Sequence, residues 1–192
     1  MSPDQRREFV VRAALPLLIE HGPALTTRQV AQAAGIAEGT VFRAFADKDE
    51  LVRTCVTEAF RTDELREHLA GTADEPDLQE RFVRIGVLID EHLARIGELM
   101  RTLATHGYDV HKHGDGSADR KPGDPPQFIA EITAATAPLL EAEQLRRPPD
   151  EVVRTFLGVL MSTRFDPDAE SGDRRERVRR KVDLLLRGAL PD

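Results

Sequence analysis

The stretch from Thr26 to Lys48, TTRQVAQAAGIAEGTVFRAFADK, constrains this chain more than any other, because its spacing calls for two short helices around a tight turn. Thr26 can cap a helix, and Gln29 three residues later completes a box in which each side chain bonds the other's backbone amide. Val30, Ala31 and Ala34 then share one helical face, with small residues that admit a second helix closely. Gly35 stands where the backbone needs a positive φ, and Ile36 returns to the core. A second apolar set, Val41, Phe42 and Phe45, follows at helical spacing. This is a helix-turn-helix pattern, whose second helix in DNA-binding proteins enters the major groove. An αα-hairpin inside any helical protein satisfies the same spacing.

The flanks narrow the choice. An amphipathic segment ends in Glu20-His21-Gly22, the run TTRQVAQAAGI follows, GTVFRAF takes the place of the recognition helix, and DKDEL opens a fourth helix. With these motifs in this order, residues 7 to 60 resemble the N-terminal domain of the TetR/AcrR family of transcriptional regulators. The resemblance implies an all-α chain: an N-terminal three-helix helix-turn-helix domain, then a helical ligand-binding and dimerisation domain. Expected boundaries are 1–53 for DNA binding (motif about 26–45), 47–70 as a connecting helix, and 71–192 for the second domain. It also implies a ligand-responsive repressor acting as a homodimer on a palindromic operator in double-stranded DNA.

By the same resemblance, Arg28 and Glu38 face base edges and Gly39 permits close approach. Arg28 suits a guanine and Glu38 a cytosine amino group. Thr27, Thr40, Arg43 and Lys48 are the candidates for phosphates or groove edges. Three residues depart from the family pattern. Ala37 stands where Ser or Thr often caps the recognition helix, a loss of about 1 kcal/mol that leaves an amide free. Phe42 replaces a tyrosine whose hydroxyl meets the DNA backbone; it can pack but not donate. Ala44 replaces a larger side chain.

Charge offers little help. Residues 1–53 hold seven Lys/Arg and seven Asp/Glu, so the remainder carries the whole net charge of −7. A neutral head lacks a broad basic field, and weak non-specific binding is expected. No apolar run approaches the roughly 18 residues of a membrane span, and no secretory signal is evident, so a cytoplasmic protein is expected. Cys55 is the single cysteine; it rules out an internal disulfide and reads as a packing residue.

In chain order, residues 5–21 form helix 1, with Phe9, Val10, Ala13, Ala14, Leu17 and Leu18 on one face and Pro16 interrupting it. Asp47 caps helix 4, with Glu50 as its reciprocal partner, and that helix runs to about Leu69. Gly71 to Pro76 is the boundary. From Leu78 to about His106, the residues Phe82, Ile85, Ile89, Leu93, Ile96, Met100 and Leu103 recur every three or four positions, and Gly97 marks a candidate break. Spacing alone reads this stripe as filled core. The resemblance instead places Phe82, Ile85, Ile89, Leu93, Ile96 and Met100 around an effector cavity, with Phe128 and Ile132 from a helix over 127–143 and Phe156 from the next one.

Gly107 to Pro126 reads as a mobile connection. His106, His111 and His113 lie close together but lack a carboxylate or cysteine framework, and the calcium-loop pattern from Asp115 fails at Arg120 and Pro126, so no metal or other cofactor is expected. Pro138 interrupts the 127–143 helix. Helices over about 150–165 and 174–190 carry Val153, Phe156, Leu157, Leu160 and Met161, then Val178, Val182, Leu185, Leu186 and Ala189, with Gly158 and Ser162 allowing close contact. The resemblance implies a four-helix dimer interface built from them. The cluster Arg174, Arg175, Arg177, Arg179, Arg180 and Lys181 is interleaved with Glu176 and Asp183, and is expected to be a solvated face or interface rim. Two alternatives remain open: a helical protein-interaction module without operator binding, and a small helical enzyme, for which no catalytic constellation is found.

Overall fold

The computed structural model describes residues 2–108, 124–141, 144–162 and 172–187. Every regular element among them is helical: α1 (Pro3–His21), α2 (Thr27–Ala34), α3 (Glu38–Ala44), α4 (Lys48–Ala59), α5 (Asp63–Ala70), α6 (Leu78–Thr105), α7 (Gln127–Thr136), α8 (Pro149–Met161) and α9 (Arg174–Arg187). None of these is long and apolar enough to cross a membrane. The chain divides into two compact units, residues 1–61 with 95–124 and residues 62–94 with 125–192, so α6 contributes its first part to the second unit and its last part to the first.

In the first unit, α1 starts earlier than its apolar pattern suggests, because Ser2 and Gln5 form a capping box in which Gln5 N–H donates to Ser2 Oγ and Ser2 N–H to Gln5 Oε1. The helix runs uninterrupted through Pro16, contrary to expectation. Pro16 lies on the exposed side, where water can satisfy the carbonyl that its missing N–H leaves free. The buried stripe is Val10, Val11, Ala14 and Leu18. Its centre lies towards Val11, which turns Phe9 out to 44% exposure and leaves Ala13 and Leu17 half-buried. Gly22 closes α1 at φ +59°, where a Cβ would also lie 2.8 Å from His106 Nδ1. That imidazole is occupied in turn, its Nδ1 2.8 Å from the Thr102 carbonyl.

The core of this unit joins the α1 stripe to Leu25, Val30, Val41, Phe45, Leu51, Val52 and Cys55, with Leu99 and Leu103 from the end of α6. Full burial stabilises each large side chain by about 1.5–3 kcal/mol. The helix expected over 47–70 is two helices. α4 ends at Ala59, and Thr62, itself buried, precedes α5 with its hydroxyl donating to Glu131 Oε2 at 2.6 Å. Asp63 and Glu64 then occupy the first turn of α5, where acidic side chains favour a new helix N-terminus.

In the second unit, Phe82, Ile85 and Ile89 of α6 pack with Ile132, Val153, Phe156, Leu160, Val178 and Val182 in one cluster. Phe82 and Phe156 meet edge to face, ring centroids 5.5 Å apart. Gly86 is needed for this packing, since a Cβ there would lie 2.6 Å from Val178 Cγ1 and 2.7 Å from Phe156 Cζ. α6 is continuous through Gly97. Pro138 does end α7, in a 3-10 turn over Ala137–Leu139. Arg81, 5% exposed, ties α6 to this region by donating to the Leu139 carbonyl and pairing with Glu141. Val178 and Val182 serve this internal core, while Leu184 and Leu186 of α9 stay exposed.

Candidate nucleic-acid interface

The helix-turn-helix is held by local hydrogen bonds that its sequence anticipates. Gln29 N–H donates to Thr26 Oγ1 and Thr26 N–H to Gln29 Oε1, completing the box. At the other end of α2, Gly35 adopts φ 64°, Gly35 N–H donates to the Gln32 carbonyl, and Ile36 N–H reaches the Ala31 carbonyl at 2.9 Å. This is the Schellman arrangement, and it directs the chain into α3. No side chain caps α3 at Ala37. Val41 and Phe45 bury the inner face of α3, at 1% and 2% exposure.

The opposite face is open. Arg28, Glu38, Gly39, Phe42 and Arg43 are exposed, and Thr27 and Thr40 are half-buried. Phe42, expected to join the apolar set with Val41 and Phe45, is instead 55% exposed; one step of about 100° from buried Val41 carries it out of the core. A Cβ on Gly39 would meet nothing within 4 Å. The fold therefore gives no reason for a glycine that costs about 1 kcal/mol of helix propensity relative to alanine. Arg28 and Arg43 form no hydrogen bond or ion pair among the described residues.

Two of the expected contact residues are already engaged. Thr27 Oγ1 donates to Glu38 Oε1 at 2.7 Å, linking α2 to the start of α3 and fixing the carboxylate's orientation. Lys48 Nζ donates to the Pro23 carbonyl at 2.8 Å, which leaves two of its three N–H groups for another partner.

A support behind α3 has no counterpart in the sequence reading. The Arg7 guanidinium lies 4.4 Å from the centroid of the Phe45 ring, donates to the Ala44 carbonyl, and pairs with Glu50 at 2.8 Å. Glu50 does not complete the box with Asp47. Its other oxygen accepts from Ala46 N–H, one residue further back, while Asp47 alone caps α4 by accepting from Glu50 N–H. The Ala46 amide, and after it Arg7, hold the Glu50 carboxyl below its ordinary 4.5. Arg7 and Phe45 are too far apart in sequence for periodicity to connect them.

The expected effector residues fall into two sets. Phe82, Ile85, Ile89, Leu93, Phe128, Ile132 and Phe156 belong to the cluster of the second unit. Ile96 and Met100 lie in the first unit, Met100 packing against its core. Within the second-unit core, the Thr136 hydroxyl is fully buried and has no hydrogen-bond partner among the described residues. An open groove of about 770 Å³ runs instead along Leu145, Arg146, Val152, Thr155, Leu185 and Leu186, none of them an expected effector residue. The arginine cluster is not a free basic face, since Arg174 pairs with Asp90 and Glu91, and Arg175 and Arg179 with Glu80. Among the described residues no group of His, Cys, Asp and Glu is arranged to hold a metal. His111, His113 and the Asp115 segment lie outside the described residues.

Residues 10–55, spanning the motif and its flanking helices, match the family described as bacterial regulatory proteins of the tetR family. Residues 10–55 are thus a TetR-type N-terminal domain. Solved structures extend the likeness of fold beyond the head. A Mesorhizobium loti protein assigned to TetR-family transcriptional regulators is similar over 97% of this chain and 96% of its own, with TM-score 0.69 and 16% identity. The TetR-family regulator PfmR of Thermus thermophilus gives 95% and 99%, TM-score 0.60 and 20% identity. The TetR-like regulator LfrR of Mycobacterium smegmatis, solved with proflavine, gives 97% and 98%, TM-score 0.55 and 18% identity. The match of the head is to DNA-binding regulators and not to an enzyme family.

Proposed function

We propose that the chain is a ligand-responsive transcriptional repressor that binds a palindromic operator as a homodimer. The observation that carries this reading is the outward face of α2 and α3: Arg28, Arg43 and Gly39 are exposed and unengaged by the fold, beside a Glu38 already oriented by Thr27. Such a face offers donors and acceptors to base edges on a helix that can sit deep in a groove. Dimerisation through α8 and α9 is supported by exposed Leu184 and Leu186, and by the open space above Gly158. An apolar effector site in the second unit is supported by its aromatic cluster, the unpaired Thr136 hydroxyl, and the proflavine complex of LfrR. Effector binding would act by changing the separation of two heads that read major-groove faces about 34 Å apart.

Selection of bound sequences from random duplexes tests the reading, with sedimentation giving the protein's oligomeric state. An enriched inverted repeat bound by a dimer is expected. A monomer, or no enrichment at low salt, refutes it and leaves the protein-interaction module. Arg28→Ala should then relax preference at one base position of each half-site.

A further inference from the structure

We infer that Phe42 reads DNA sequence by packing on the C5-methyl group of a thymine in each half-site. The inference rests on the regulator reading above and assigns a base to one residue of that interface. The ring is 55% exposed and belongs to neither hydrophobic core. It projects from α3 one turn beyond Gly39 (i, i+3), about 100° around the helix from buried Val41. Exposed Arg43 follows it directly.

Chemistry then selects the partner. A phenyl ring has no donor for a phosphate oxygen, so a backbone contact would desolvate charge with nothing in return. The edges of base pairs in the major groove present one aliphatic group, the thymine methyl. With no Cβ on Gly39, α3 can approach those edges closely, and the residue one turn on is carried with it. Phe42 therefore contributes discrimination between T·A and the other pairs, where a hydroxyl-bearing ring would contribute a bond to the backbone.

The full-length protein is titrated by fluorescence anisotropy against the duplex it selects from a random pool, with thymines replaced one at a time by uracil. This removes only the methyl group. A uracil at that thymine in one half-site should weaken the unmodified protein about fourfold, the worth of one buried methyl, and uracil in both half-sites about fifteenfold. Phe42→Ala should bind the thymine duplex at least that much more weakly and no longer tell thymine from uracil, while Phe42→Leu should retain the preference. The inference falls if no uracil alters binding, or if Phe42→Ala discriminates as the unmodified protein does. The uracil series needs no variant to fold. Failure to select any duplex would overturn the regulator reading itself, whereas a selected duplex indifferent to uracil overturns only the role of Phe42.

Discussion

Arg7 shows how a cation in a DNA-binding head can be committed to structure. It joins the end of α3 to α1 and α4 through the Ala44 carbonyl, the Phe45 ring and Glu50. Arg7→Met should cost about 1 kcal/mol for the lost hydrogen bond to the carbonyl. It should also lower operator affinity while leaving the slope of log K against log salt unchanged, because no phosphate contact is lost; a flatter slope would put Arg7 on the DNA. Glu50 supplies a pH test. Its folded carboxyl lies below 4.5 because of the Ala46 amide and Arg7, so its contribution is present above the unfolded value and disappears as pH falls through the folded one. Glu50→Gln should therefore be less stable than the parent in denaturant melts at pH 7, and the two should converge as the pH falls through the folded value. Cys55 is fully buried, and burial, with a smaller push from Glu58, raises its thiol to about 12. The native protein should resist a thiol-reactive disulfide reagent and release one equivalent only on unfolding.

Among the elements, those set by bonds three or four residues apart were readable in advance: the Thr26–Gln29 box, the Gly35 turn, and the Asp47 cap. Elements decided by distant partners were not. The break before α5 is held by Thr62 bonding Glu131, 69 residues away, and apolar spacing alone ran α4 through it. Phe9 and Phe42 followed an apolar period whose true centre lies nearer Val11 and Val41. Two glycines separate fold from function in one comparison. Gly86→Ala should destabilise by about 1–3 kcal/mol despite the gain in helix propensity, because Val178 and Phe156 leave no room for a methyl group. Gly39→Ala meets nothing and should stabilise by up to about 1 kcal/mol while weakening operator binding. Thermal melts with binding titrations on both variants check this, and unimpaired binding by Gly39→Ala would show that α3 does not approach the bases closely.

For the molecule as a whole, electrostatics sets the character of any DNA complex. The head has no net charge, and of its cations Arg7 and Lys48 are already bonded within the protein. With Arg28, Arg43 and the remaining donors of Lys48 available to DNA, a dimer should show a salt slope no steeper than about −5. Binding titrations across a salt series measure it, and a markedly steeper slope would mean that cations elsewhere in the chain meet the backbone. The acidic excess of −7 lies wholly beyond residue 53. Bulk chromosomal DNA is then a poor sink for such a protein. If the chain reads an operator as proposed, few copies should be lost to the millions of competing sites around it, and a small pool should suffice to keep it occupied.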